Sequence, residues 1–428
     1  MQNTLGLRYN NLRKFTINLL VVYLMCTVFE RRPELNFLSS IGIYAFLGMG
    51  MLYICFKNSI VGFANIQIRV RGLLGILVIV SLLTVPESIE SVAIGFAWRF
   101  LTSIVIAFVI SNIIYTEKDV QKVMFGFCAA GAFLSLNFYI TYSSEILTLA
   151  QKVESFERMG REYGNINEVA QRCMFAFIIS SYYAFFNKNI QRKWKYLSIA
   201  NGALCFSVIM FTGSRRALIV AVVSIVVMIL ETLKNSNAKN RLSIGLKAII
   251  LFAIIMFVVM NVPMFANIKD RIFGFFETFR GNITLGSGGD LNRIRYIIDG
   301  FKYFTDNLLL GGGVCYSYYL FGTYTHNNYI EMLVNFGIVG FVIYYAGYLS
   351  NLIKIVKLKH FRFDEFKTIF FVLMISIMLV DVGVVSYYER YMCIILSLIS
   401  SYFTNKVYAA DENVTLTEES IDENIGDK

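Results

Sequence analysis

Apolar runs of about 20 residues recur along most of the chain, each long enough to cross a hydrocarbon core of ~30 Å. They divide it into twelve spans, at roughly 14–29, 37–56, 72–85, 92–114, 120–142, 168–186, 196–212, 215–233, 245–266, 327–350, 367–385 and 388–404. A helix in lipid satisfies its own backbone hydrogen bonds, whereas barrel strands would show ~10-residue segments of alternating polarity. The pattern predicts an all-α integral membrane protein with about twelve transmembrane helices. Two connections are long, 143–167 and 267–326. The second contains "DLNRIRYIIDGFKYF" (290–304), which places Ile294, Ile297, Ile298, Phe301 and Phe304 at helical spacing. Arg293, Arg295, Asp299 and Lys302 occupy the other faces. An amphipathic helix lying at the membrane interface is expected there. Glycine-rich turns flank it, "LGSGGD" (285–290) and "LLLGGGV" (308–314).

Composition agrees with the spans. The chain is 57% hydrophobic and 16% charged, with a mean hydropathy of +0.60, against about 45–50% and 25% in soluble domains. With the N-terminus in the cytoplasm, Lys57, Arg69, Arg71, the pair Lys118 and Lys122, the clusters at 188–195 and 234–247, and Lys354–Lys367 all fall on inside loops. The outside loop "PESIES" (86–91) has no basic residue, as the positive-inside bias requires. The net charge of +10 is then mostly a topology signal, and no basic-aromatic patch suggests nucleic acid. Arg8, Arg13 and Lys14 precede the first span without a following small-residue cleavage site, so this span reads as an anchor. The membrane domain is expected over 1–408, both termini in the cytoplasm, with 409–428 an acidic disordered tail. Six cysteines fall within spans. Cys315 alone lies in an outside loop, where it should meet an impermeant thiol reagent unless folded under that loop. No internal repeat is visible, which weighs against a carrier built from inverted repeats.

The polar residues gather at one membrane face. Spans six, eight and ten start outside, and their N-termini carry "REYGNINEVAQR" (161–172), "FTGSRRALIV" (211–220) and "THNNYIEML" (325–333). Helix N-termini favour anions, and arginine forks suit phosphate oxygens. Arg215 and Arg216 on a short outer loop run against the positive-inside bias. Arg99 and Arg172 lie inside spans, in the outer half, where a charge is costly and points to a functional site. Each has a blander reading. Arg99 or Arg172 is then a structural partner, Thr212 or Ser214 a helix cap, and Arg215 and Arg216 interfacial snorkelers. Asn328 with Glu331 has capping-box spacing. His326 is one of two histidines, His360 lying on the opposite side. No acidic ligand set accompanies it, so metal binding is not expected.

Four of these stretches resemble motifs of the O-antigen ligase and Wzy-type polysaccharide polymerase superfamily. "HN" (326–327), nine residues and Gly337 resemble its His-Asn/Ser/Gln, nine-residue, Gly signature. "GNINEVA" (164–170) resembles its Asn-Pro-Asn region, and "TGSRRAL" (212–218) its Ser-Arg helix start. "NRIRYIIDGFKYFTDNLLLGGG" (292–313) resembles its arginine-bearing loop helix. The motifs cover about 160–345, in the family's order. Ile166 and Leu308 replace family prolines, Ile297 stands where tryptophan is common, and Ile338 is larger than the residue ligases tend to have.

The resemblance implies a GT-C-like membrane enzyme in the bacterial cytoplasmic membrane. It would catalyse inverting glycosyl transfer from an undecaprenyl-pyrophosphate-linked glycan, with no metal or other cofactor. A lipid-linked oligosaccharide would serve as donor and acceptor, with a flippase and a chain-length regulator as partners. Physical logic concurs. Without a metal, arginines and helix N-termini must meet the charge of the departing pyrophosphate. A lone imidazole suits the acceptor hydroxyl, as base or as orienting group. A nearby helix N-terminus and arginines should keep it neutral. The expected catalytic residues are His326, Arg215 and Arg293. Arg216, Arg295, Arg99, Arg172, Asn165, Asn167 and Asn327 are expected to hold pyrophosphate or sugar, with Arg216 and Arg295 as substitutes within each arginine pair. The reading is a polymerase joining lipid-linked repeat units. A ligase or oligosaccharyltransferase shares the donor and differs in acceptor. A flippase or transporter of lipid-linked sugars would instead need charge in both leaflets.

Overall fold

The computed structural model describes residues 2–30, 32, 34–57, 66–149, 159–187, 189–234, 288–357 and 366–404. They form fourteen α-helices, with no strand among them. In chain order these are α1 (Gln2–Cys26), α2 (Asn36–Cys55), α3 (Ile66–Ser81), α4 (Glu90–Ile113), α5 (Glu117–Thr141), α6 (Ser143–Leu149) and α7 (Ile166–Ser181). There follow α8 (Arg192–Thr212), α9 (Arg215–Lys234), α10 (Gly288–Asp306), α11 (Tyr316–Phe321), α12 (Asn328–Lys357), α13 (Lys367–Asp381) and α14 (Arg390–Thr404). Nine described helices are long and apolar enough to cross a membrane, which makes this an all-α integral membrane protein. Eleven of the twelve expected spans coincide with described helices; the remaining one, 245–266, and the tail lie outside the described residues.

Packing follows from which helices are apolar all round. In α7, Val169, Ala170, Cys173, Met174, Phe175, Ala176, Ile178 and Ile179 are all buried, so no face is left for lipid and the helix sits at the centre of the bundle. It packs on α5, α8 and α9. Small residues bring backbones close, as expected between membrane helices: a Cβ on Gly131 of α5 would stand 2.2 Å from that of Ala176.

The third span is corrected. It begins at Ile66 rather than near 72, so Arg69 and Arg71 belong to α3 and not to an inside loop. Arg71 is buried against α12, 5.9 Å from the rings of both Phe100 and Tyr344. The last two spans are short. The 15 residues of α13 reach about 22 Å, less than the ~30 Å of a hydrocarbon core. The turn joining α13 to α14 is correspondingly buried: Val385, Ser386, Tyr387 and Tyr388 have little or no exposure. Non-helical backbone among membrane helices is stable only where protein satisfies its polar groups, and here Asn328 does so.

Candidate functional site

The site is organised by a break in α12. Gly337 has φ +60° and ψ −164°, far from helical values. Asn328 and Tyr345 are 17 residues apart, yet the Asn328 amide donates to the Tyr345 hydroxyl at 2.8 Å. A straight helix would separate them by about 25 Å. Tyr329 also stacks on Tyr345, with centroids 5.0 Å apart. The chain therefore folds back at Gly337, and Ile338 to Lys357 supplies about 30 Å of continuous helix.

The break would strand helix-end backbone groups; the 308–313 strap takes them up. Gly312 N donates to Val334 O at 2.9 Å and Gly313 N to Asn335 O at 2.8 Å. Ile338 N donates to Leu308 O at 2.9 Å. A Cβ on Gly337 would lie 2.3 Å from Leu309 O, and one on Gly311 2.5 Å from Val334 O. The two glycines interlock, and only residues without side chains allow it. This is the physical content of the nine-residue spacing between Asn327 and Gly337.

His326 sits at the start of this hairpin with φ +59°, a conformation L-residues rarely adopt. Its neighbours are pinned. Asn327 caps α12 by accepting from Ile330 N at 3.1 Å, and its amide donates to Val382 O at 3.1 Å. The cap is thus Asn327, and the expected Asn328–Glu331 box does not form. Buried Glu331 reaches back past the cap to accept from Thr325 N at 2.8 Å, and takes Ser317 Oγ at 2.5 Å and Asn335 Nδ2 at 3.1 Å. Asn328 Oδ1 accepts from Ser386 N at 2.8 Å and Tyr387 N at 3.1 Å. Buried Asp381 takes the Tyr345 hydroxyl at 3.0 Å, the Asn328 amide at 3.4 Å and the Ser386 hydroxyl. Strain at one residue held by surrounding contacts is a mark of functional sites.

The half-buried imidazole lies 4.2 Å from the Tyr324 ring, centroid to centroid. Its pKa is pushed down to about 4, first by burial and then by the charges of Arg293 and Arg216. Each arginine comes from a different element. Arg216 is in the first turn of α9, its guanidinium against Gly383. Arg293 is on α10, which docks on α12 at Gly300, where a Cβ would lie 2.7 Å from Ile330 Cγ2. Leu291, Ile294, Ile298 and Phe301 of α10 remain exposed, the apolar stripe expected of an interfacial helix.

The other expected residues are distributed as follows. Arg215 is half-buried beside Arg216. Arg295 is 77% exposed and pairs along α10 with Asp299 at 3.2 Å. The half-buried Arg99 acts electrostatically on Tyr318 of α11, whose ring neighbours Tyr324. Arg172 is held elsewhere: it donates to Thr27 O and pairs with Glu30 at 2.7 Å, and Arg390 approaches the same carboxylate at 3.5 Å. Asn165 caps α7 by accepting from Asn167 N at 3.0 Å, and Asn167 Oδ1 accepts from Ser214 Oγ at 3.5 Å. The structure thus gathers Arg216, Arg293, Asn327 and His326, links Arg99 to them through tyrosines, and holds Arg172 in its own pair.

Cys315 meets the stated exception: it is 1% exposed, and burial pushes its thiol pKa up, so it is folded under the loop and shielded from an impermeant reagent. Asp381 and Gly383 were missed. Asp381 closes an apolar run, "MISIMLVD" (374–381), and the rule that singled out Arg99 and Arg172 would have found it. Among the described residues, no three His, Cys, Asp or Glu side chains gather as metal ligands.

Residues 200–345 match the family described as O-Antigen ligase. No curated protein matches the chain. The match runs from within α8 to Tyr345, past the fold-back at Gly337, and includes Arg215, Arg216, Arg293, Arg295, His326 and Asn327. The match covers about a third of the chain and supports the O-antigen ligase and Wzy superfamily over these residues.

Proposed function

We propose that this protein is a polysaccharide polymerase. It would move a growing glycan from undecaprenyl pyrophosphate onto a second lipid-linked repeat unit, at the outer face of a bacterial cytoplasmic membrane, with both termini in the cytoplasm. The observation that carries the reading is His326, half-buried at a strained backbone position between pinned neighbours, its pKa pushed down by burial and then by the charges of Arg293 and Arg216.

The acceptor hydroxyl oxygen attacks the anomeric carbon as the bond to the pyrophosphate oxygen breaks, with inversion. The pyrophosphate leaves carrying the electron pair, and Arg216 and Arg293 meet its charge. The hydroxyl proton goes to His326. Before the donor binds, an imidazole with a pKa of about 4 is a weak proton acceptor at neutral pH. A docked pyrophosphate offsets both guanidinium charges, which raises the imidazole's basicity where and when it is needed. The donor thereby helps to prepare the base that activates the acceptor. With its apolar stripe in the membrane interface, α10 carries Arg293 over the lipid-linked sugar and excludes water. The chemistry requires no metal.

The description of the matching family favours a second reading, a ligase with the same donor and a different acceptor. One experiment separates them. Purified protein, in the presence of a chelator, is given a synthetic undecaprenyl-pyrophosphate-linked repeat with or without a lipid-core acceptor. A ladder of products from the repeat alone supports the polymerase. A single product that needs the added acceptor makes it a ligase. A strict requirement for a divalent ion would overturn the arginine-only account of the leaving group.

A further inference from the structure

Gly383 lies in the turn between α13 and α14, outside the family match. Its φ is not in the left-handed region, so the backbone does not require glycine there. Space does. A Cβ at this position would stand 2.4 Å from Nε, 2.6 Å from Cζ and 2.7 Å from Nη2 of Arg216. The guanidinium is seated on bare backbone.

The same turn holds the His326 end of α12. Val382 O, one residue before Gly383, accepts from the Asn327 amide at 3.1 Å. Ser386 N and Tyr387 N, just beyond it, donate to Asn328 Oδ1. One short segment therefore touches Arg216 directly and fixes the two residues that follow His326.

We propose that Gly383 is a positioning residue of the transfer site: its missing side chain gives the Arg216 guanidinium its seat, and the turn from Asp381 to Tyr387 registers that charge against His326. The proposal rests on the transfer reading above. A methyl group at 383 would push the guanidinium away by about 1 Å, and a misplacement of that size costs up to about 100-fold in rate. The push costs little stability, because Arg216 yields at the far end of a flexible side chain.

The test is a cycle of Gly383→Ala, Arg216→Ala and the double variant. It is read as the rate of ladder formation, binding of undecaprenyl pyrophosphate, and thermal unfolding. The expected result is a 10- to 100-fold loss of rate for Gly383→Ala, weaker binding and an unchanged unfolding temperature, with no further loss when it is added to Arg216→Ala. Wild-type rate in Gly383→Ala overturns the proposal, as does the same fold-loss in the Arg216→Ala background. If Gly383→Ala alone fails to accumulate, the double variant decides. Recovery of folded protein on removing Arg216 supports the contact, and continued failure overturns it. Wild-type rate in Arg216→Ala would overturn the transfer reading itself, and that single variant tells the two failures apart.

Discussion

Two groups of arginines lie near the starts of the helices that carry the polar motifs, and they act on different neighbours. At α7, Arg172 is 12% exposed and faces a carboxylate: Glu30 takes it at 2.7 Å, with Thr27 O and Arg390 completing the cluster. At His326, burial first and then the charges of Arg293 and Arg216 make the imidazole harder to protonate. In the first group Arg172 and Arg390 share the chain's own carboxylate, Glu30. The second places the charges of Arg293 and Arg216 where they act on a half-buried imidazole. An arginine within a membrane helix marks a functional site by default; Arg172, paired with Glu30, shows that such an arginine can also be held by the chain's own carboxylate.

The sharpest way to break this contrast is to remove one arginine from each group. Arg216→Ala and Arg293→Ala should each lower transfer about 100-fold, or ~3 kcal/mol at the transition state, with normal protein levels. Arg→Lys should restore only part, because the fork is lost. Arg172→Ala should instead lower the unfolding temperature, by a stability loss of about 2–3 kcal/mol: a buried pair is broken, but Arg390 still faces Glu30. Transfer per folded molecule should hold. The reverse pattern would exchange the roles of the two groups.

A smaller effect is expected at Glu331. Glu331→Ala strands Thr325 N, Ser317 and Asn335 and should cost about 2 kcal/mol of stability, together with transfer, since the backbone before His326 is freed. Glu331→Gln keeps an acceptor for Thr325 N and should retain most of both. Equal losses in the two variants would mean that the charge matters, not the tether.

The pH profile refines the electrostatics. With His326 lowered to about 4, the imidazole is neutral above roughly pH 5, so donor kcat/KM should be flat from there to pH 8. The bound pyrophosphate raises the His326 pKa, so the acid limb of kcat should lie at higher pH than that of kcat/KM. Arg293→Ala should raise the free-protein value part of the way toward 6.5, because burial remains. An acid limb of kcat/KM near pH 6.5 in the wild type would contradict the geometry. The smallest effect is expected from Arg295→Ala, whose exposed pair with Asp299 contributes at most about 0.5 kcal/mol.

Much of this molecule was legible in the sequence because period and length are local properties. The described spans and the loop helix 290–304 follow from spacing. What was not legible depends on contacts between distant residues. Arg172 finds Glu30 at a separation of 142 residues, and no local pattern reports such a pair. An arginine near a span's edge looks like a topology signal, so the sequence points Arg71 to a loop; only packing against α12 reveals that α3 starts earlier. Beside the lack of a visible repeat, charge confined to one half of the bundle weighed against a carrier. Buried Arg71 removes that argument, and the case for transfer rests on the His326 site. Gly337 was readable as a motif position, but not as a fold-back, because the strap that stabilises it comes from 308–313.

The central claim is that His326 acts on the acceptor while Arg216 and Arg293 hold the donor's pyrophosphate. Binding of undecaprenyl pyrophosphate to purified wild-type, His326→Ala, Arg216→Ala and Arg293→Ala proteins, measured alongside ladder formation, tests it most directly. The account predicts that His326→Ala makes no ladder yet binds within a few-fold of the wild type, while both arginine variants lose binding at least about 10-fold, as expected for a lost charge-assisted contact of ~1.5–3 kcal/mol. Loss of binding in His326→Ala as severe as in Arg216→Ala would place the imidazole in the pyrophosphate site and contradict its role toward the acceptor.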